Sequence, residues 1–291
     1  MITAPHIIPY QRKYRNAVLS LLFYARRVHT HLDWYQAGQW LDLEGQFVRL
    51  AYDNDTVVGV IGLSEPLNQT AWIRMVAIRK GYDPTLILRQ LWEPLWEELA
   101  QAGVISVSTL IINDWIAAYL PQLGFRYLED VVTLYRSGAD MPPPLSSDLQ
   151  IRNAYLDDLR LIVAIDHAAF AAPWQMSQVD IRQAQRQAAS CTIAEYNGHI
   201  IGYQISTRHH TSGHLARLAV VPQMQGRRVG AVLLDHMIRG FIKRGVRSIT
   251  VNTQHSNIRS QRLYQRYGFE RNGFDLPIWM HELVPSLHNN F

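Results

Sequence analysis

The chain has 291 residues, 48% of them apolar and 18% charged, with a formal net charge of +4. That length suits two domains of ordinary size, and the apolar fraction supports packed cores and excludes a disordered chain. No apolar run approaches the ~18 residues of a membrane helix, and the single cysteine, Cys191, excludes an internal disulfide.

Residues 17–25 (Ala-Val-Leu-Ser-Leu-Leu-Phe-Tyr-Ala) follow Arg12, Lys13 and Arg15 and precede Arg26 and Arg27. Lacking a small-residue cleavage site, the run reads as a buried first helix rather than a leader, so a cytoplasmic location is expected. Val57-Val-Gly-Val-Ile follows the turn Asn54-Asp55, and Arg74-Met-Val-Ala-Ile reads as a strand before a helix. Six of the eight tryptophans (34, 40, 72, 92, 96 and 115) fall in this half, where packing is their expected role. Residues 113–125 begin at an Asn and end Gly124-Phe125. Residues 137–148 carry Pro142, Pro143 and Pro144, which fit neither a helix nor a central strand.

Beyond the prolines the plan repeats. Phe170-Ala-Ala-Pro173-Trp174 follows a first helix, and Cys191 sits in a strand-like run as a small core residue. Asn197-Gly198 before His199-Ile-Ile-Gly-Tyr is a two-residue hairpin signal. Arg217-Leu-Ala-Val-Val parallels Arg74-Met-Val-Ala-Ile, and Asn257 to Gly268-Phe269 lies 144 residues after Asn113 to Gly124-Phe125 with the same spacing. The chain is therefore read as a tandem repeat of one α/β domain. Residues 1–144 carry 12 basic and 14 acidic side chains, and residues 145–291 carry 16 and 10, so the second half is the basic one and suits a polyanionic ligand. No recognisable nucleic-acid module accompanies the arginines.

The most informative stretch is residues 220–231, Val-Val-Pro-Gln-Met-Gln-Gly-Arg-Arg-Val-Gly-Ala. A strand that stops at Pro222, crosses a short loop and opens a helix presents unpaired N–H groups and a favourable dipole to an anion. A β-branched strand, 246–251, and the run 257–269 follow. Together these segments resemble the GNAT acetyltransferase superfamily. Its pyrophosphate loop, Gln/Arg-x-x-Gly-x-Gly/Ala, aligns with Gln225 to Gly230. Its signature Asn-x-x-Ala-x-x-Leu-Tyr-x-x-x-Gly-Phe aligns at Asn257, Leu263, Tyr264, Gly268 and Phe269, with Ser260 in the Ala place. Arg228 stands where the first loop glycine is usual, and can offer its N–H if its φ is negative.

The resemblance implies two tandem GNAT-like domains, each a mixed, mostly antiparallel sheet flanked by helices. The expected layout is a degenerate domain at 1–140, a Pro-rich linker at 141–148 and a catalytic domain at 149–291. It implies acetyl-CoA as co-substrate and a primary amine as acceptor. Leu218, Ala219 and Val220 would pair with pantetheine. The diphosphate would meet the N–H groups of Gln225, Gly226, Arg227, Arg228, Val229, Gly230 and Ala231, and Asn257 would reach the cofactor with its amide. Tyr264 matches the position of the acid that protonates the departing thiolate. Asn252 occupies the place of a Glu found in ribosomal-protein alanine N-acetyltransferases, so the base falls to His214, with Glu195, His255 and a relayed water left open. His209, His210 and His214 lack a carboxylate or thiol partner at ligand spacing, so no metal is expected. In the first copy Pro84 has no N–H to donate, Asp83 would oppose a phosphate, and Leu120 replaces the tyrosine. Trp174 would wall an acceptor channel or staple a helix–helix connection, and Trp279 would form the opposite wall or be a core strand residue. The acceptor is a peptide α-amine or a small amine, the latter as in tandem enzymes resembling mycothiol synthase. A non-catalytic CoA-binding or protein-interaction module is the alternative, and monomer and homodimer both stay open.

Overall fold

The computed structural model describes residues 5–283. Two compact units divide them: residues 5–129 with 277–283, and residues 130–276. The first contains β1 (His6–Pro9), α1 (Arg15–Tyr24), β2 (Arg27–Thr30), α2 (Ala37–Leu41), β3 (Phe47–Asp53), β4 (Thr56–Leu63), β5 (Thr70–Ile78), α3 (Pro84–Gln101) and β6 (Ser106–Leu110). β7 (Arg126–Ser137) then leads into the second unit, with β8 (Gln150–Asn153), α4 (Leu159–Ala169), α5 (Gln178–Gln187), β9 (Ser190–Tyr196), β10 (His199–His209), β11 (Ser212–Val220), α6 (Val229–Lys243), β12 (Ser248–Gln254) and α7 (Ile258–Arg266). β13 (Glu270–Glu282) leads back to the first.

In each unit the strands form a mixed, mostly antiparallel sheet. The order is β1-β3-β4-β5-β6 and then residues 278–282 of β13 in the first, with β2 on β5. In the second it is residues 131–137 of β7, then β12-β11-β10-β9-β8. Among the described residues the single parallel pair in each is β5–β6 and β11–β12. β4 and β5 are buried almost throughout, as expected of strands covered on both faces. The hairpin signal at Asn197-Gly198 holds, and the turn at Asn54-Asp55 has the same form: both have positive φ at both residues, the geometry of a tight hairpin turn.

The units part at 129/130 and 276/277, not at the prolines. Residues 131–137 pair with β12, which places this strand of the first repeat in the second sheet. Conversely, Ile278 to Glu282 pair with β6. The Pro-rich segment is held inside the second unit, where the Arg239 guanidinium donates to the carbonyls of Pro142 and Pro143.

The segment 113–123, which the repeat aligns with the stretch containing α7, is instead a series of tight turns ending in a 3-10 turn, Pro121–Leu123. Pro121 has no N–H for an i→i−4 bond and its ring would strike the carbonyl four residues earlier. The tryptophans of this unit mainly pack: Trp40 and Trp92 are buried in its two cores. Trp279 pairs with Thr109 on β6 and lies against the first core, as a core strand residue does.

Candidate active site

β11 and β12 run in register only from Ser212↔Ser248 to Leu215↔Val251. Opposite this point β10 pairs Ile205 with Arg217 and Ser206 with Leu215, leaving Ala216 as a bulge. Beyond it β11 leaves β12, and among the described residues no strand pairs with Leu218, Ala219 and Val220 on that side. An extended edge therefore runs from the bulge toward α6 with unpaired peptide groups.

The bulge also decides which way side chains point. Gly213 lies against Phe241 of α6 and Leu215 packs in the α6 core, while Leu218 and Val220 pack toward α6 further along. His214 and Arg217 consequently face the other side of the sheet.

The edge ends at a 3-10 turn, Pro222–Met224, and a loop with two left-handed residues, Gly226 (φ 82) and Arg228 (φ 62). The positive φ at Arg228 corrects the condition set for it, since the backbone does adopt the conformation glycine favours. Arg228 is the N-cap of α6 without capping through its side chain, and the first helical bond runs from Val232 N to Arg228 O (3.0 Å). The N–H groups of Gly226, Arg228, Val229, Gly230 and Ala231 meet no acceptor among the described residues. Those of Gln225 and Arg227 are taken by Pro222 O (3.2 Å) and Met224 O (3.4 Å), so two of the seven expected donors are already engaged. Val229, Leu233, Leu234, Met237, Ile238 and Phe241 form the buried stripe that fixes this helix end under the edge.

Arg259, absent from the expected set, reaches the same loop. Its Nη1 donates to Gln225 Oε1 (2.8 Å), and Gln225 Nε2 donates to Val220 O (3.1 Å). With the exposed Arg227 and Arg228, three guanidinium groups border the free amides. An arginine two residues after Asn257 was visible in the sequence, but its target 34 residues earlier was not.

Asn257 caps α7, its Oδ1 accepting from Ser260 N (3.1 Å). Its oxygen is thus engaged, and the Nδ2 donor is what remains for a ligand. Tyr264 is 5% exposed, packs with Phe269 at 5.8 Å between ring centres, and belongs to the α6 core. Burial raises its phenol well above the usual range, opposed by the Ser260 hydroxyl, so the phenol stays protonated.

His214 lies at the closed end of the split, its Nδ1 2.9 Å from Thr250 Oγ1. Burial lowers its pKa, so it is neutral at neutral pH. The structure does not bring His214 and Tyr264 together, for they occupy opposite faces of the sheet. Glu195 is tied to Arg152 (2.9 Å), which also binds Asp158 (2.7 Å). That pairing holds the Glu195 carboxylate through its Oε1. His255 is exposed and its N–H donates to Asp130 O (2.8 Å). Cys191 is mostly buried and its thiol is pushed up to about 11, which fits a packing role.

On the His214 face a second constellation escaped the sequence reading. Arg217 meets Asp166 through Nε–Oδ2 (2.7 Å) and Nη2–Oδ1 (2.9 Å), and its Nη2 also donates to Trp174 O (2.6 Å). The Arg217 guanidinium lies 3.6 Å from the Phe170 ring centre. Asp166, fully buried, further accepts from Tyr203 OH and Met176 N (2.9 Å). The Phe170–Trp174 loop is thereby clamped to β11 one residue before the open edge.

Comparison with known proteins agrees with this geometry. Residues 159–269, most of the second unit, match the Acetyltransferase (GNAT) family. A putative [ribosomal protein bS18]-alanine N-acetyltransferase of Bacillus subtilis is 22% identical over 123 residues, 42% of this chain and 82% of that protein. The spore coat polysaccharide biosynthesis protein SpsD of the same organism is 34% identical over 95 residues, 32% of this chain and only 33% of that protein. Among solved structures, a tandem GNAT protein from the clavulanic acid biosynthesis pathway superposes with a TM-score of 0.64 at 16% identity, covering 97% of this chain and 99% of that one. The fold is that of a tandem GNAT protein, and residues 159–269, well under half of the chain, match the GNAT acetyltransferase family.

Proposed function

We propose that the second unit transfers an acetyl group from acetyl-CoA to a primary amine. The observation that carries this reading is the continuous path of unsatisfied donors: the open β11 edge, then the free amides at Gly226 and Arg228 to Ala231, ringed by Arg227, Arg228 and Arg259. An extended amide-bearing arm suits the edge, and a diphosphate suits the helix start. Leu218, Ala219, Val220 and the Asn257 Nδ2 would hold the arm. The coenzyme supplies an activated thioester.

In the transfer the amine nitrogen bonds to the acetyl carbon and the carbon–sulfur bond breaks. The amine's proton goes to a base, and the sulfur takes up a proton. Tyr264, protonated and on the α6 face, is the donor in this reading. His214, neutral and on the opposite face, is the base. The clamped Phe170–Trp174 loop, on the His214 face, suits the acceptor side. A peptide α-amine and a small amine both fit.

The test is incubation with acetyl-CoA and a mixed library of peptide and small amines, following free thiol and product masses. Amine-dependent thiol release is expected, and tight coenzyme binding without it would instead mark a binding module. The left-handed Arg228 and the buried Tyr264 favour that second reading.

A further inference from the structure

The first unit repeats the split of the second but does not leave it open. β5 and β6 pair in parallel only from Thr70↔Ser106 to Trp72↔Ser108, and β5 then parts from β6, as β11 parts from β12 beyond Leu215. By the repeat, Arg74, Met75, Val76 and Ala77 correspond to Arg217, Leu218, Ala219 and Val220. The strand that takes the place beside them is the chain's own β2: Val28 pairs with Ala77, His29 with Val76 and Thr30 with Met75, and His31 N adds a bond to Arg74 O (2.8 Å).

The other two handles are also taken. Asn113, the counterpart of Asn257, donates its Nδ2 to Val28 O (3.0 Å), joined there by Trp115 Nε1 (3.0 Å). The start of α3, counterpart of α6, is closed by Asp83, whose carboxylate accepts from Thr85 N (3.0 Å), while Pro84 offers no donor. His29 fills the gap between the strands, fully buried, its Nε2 facing Thr109 Oγ1 of β6 at 3.5 Å.

We infer that β2 is an internal substitute for the coenzyme's extended arm, so that the first unit takes no coenzyme A and the chain binds one equivalent, in the second unit. An extended backbone on the β5 edge, an amide from Asn113 and a carboxylate at the helix start satisfy the same donors and acceptors that are free around α6. The proposed coenzyme site of the second unit serves here as the reference.

Two measurements on the full chain test this. Amide hydrogen exchange should be slow at residues 27–31 and unchanged by saturating coenzyme A. Calorimetric titration with coenzyme A should give one equivalent, lost in Arg228→Asp, which copies the Asp83 cap while keeping the helix start satisfied. Two equivalents, or one that survives Arg228→Asp, overturns the inference. So does fast exchange at residues 27–31, or exchange there that coenzyme A alters. A chain that binds no coenzyme A while those amides stay slow ends the acetyl-transfer reading but sustains the strand as the resident of the first cleft.

Discussion

Arg217 and Asp166 form a two-pronged ion pair with the carboxylate wholly buried, and the same arginine holds the carbonyl of Trp174. The pair joins α4 to β11 beside the open edge. Its first-unit counterpart, Arg74, likewise meets an aspartate, Asp33, at 2.6 Å. The repeat therefore keeps this brace in both units, although only the second keeps an open edge, which argues for a structural rather than a chemical role.

Asp166→Ala strands a buried guanidinium beside Phe170 and leaves Tyr203 OH and Met176 N without their acceptor. Removing one partner of a buried pair costs about 3–5 kcal/mol. Urea unfolding should show a loss of that order, and any folded fraction should have a raised KM for the acceptor with KM for acetyl-CoA less affected. A stability change under about 1 kcal/mol would contradict the role given to the brace.

Arg228 holds a left-handed backbone at the start of α6, a conformation that costs an ordinary residue about 1 kcal/mol. Arg228→Gly relieves that strain at the expense of a freer unfolded chain. The variant should be as stable as the parent or more stable by up to about 1 kcal/mol in urea, with amides still aimed at the diphosphate. Coenzyme affinity should fall only by the loss of one exposed charge, under about tenfold. A hundredfold loss would mean that the Arg228 side chain, not the main chain, holds the ligand.

Much of this site was legible in the sequence, and the reasons are local. The strand–loop–helix at 215–241 declares itself through Pro222, Gly226 and the apolar stripe from Val229 to Phe241, all set by neighbours in the chain. The hairpin at Asn197-Gly198 is likewise fixed by two residues. What could not be read depends on distant partners. Alternation gives a strand two faces, but the Ala216 bulge, which sets His214 and Arg217 on the same side, is visible only against β10. Nothing in Val131 to Ser137 says that it pairs with β12. Arg27–Thr30 is four residues long, and its partner lies more than 40 residues away.

Tyr264→Phe keeps the ring and its packing against Phe269 but removes the donor. Since burial holds the phenol protonated, its contribution is a positioned hydrogen bond and proton for the departing sulfur. Turnover should fall at least tenfold, about 1.4 kcal/mol in barrier, with coenzyme affinity little changed. Steady-state rates alongside calorimetric binding check this, and unaltered turnover removes Tyr264 from the chemistry.

His214 supplies the pH signature. Its folded pKa lies below the ordinary 6.5 because burial disfavours the imidazolium. As a base it works when neutral, so kcat/KM should be flat through neutral pH and fall only as pH drops through that lowered value. His214→Ala should lower the plateau and abolish that acidic limb. A variant that keeps the parent profile assigns the limb to another group.

His29 gives the first unit a distinct acid sensitivity. Burial, with a smaller contribution from the charge of His31, lowers its pKa to about 4, and its Nδ1 has no hydrogen-bond partner among the described residues. In the unfolded chain the same ring titrates near 6.5. Between those values the unfolded state binds a proton that the folded state refuses, so stability is full above pH 6.5 and is lost as pH falls toward 4, by about 3 kcal/mol in all. His29→Leu keeps an apolar plug between β5 and β6 and removes the titration. Urea midpoints of parent and variant, measured from pH 7 to 4, should converge in the variant's favour as pH falls. Parallel curves would show that the imidazole is solvated and that β2 does not seal the cleft.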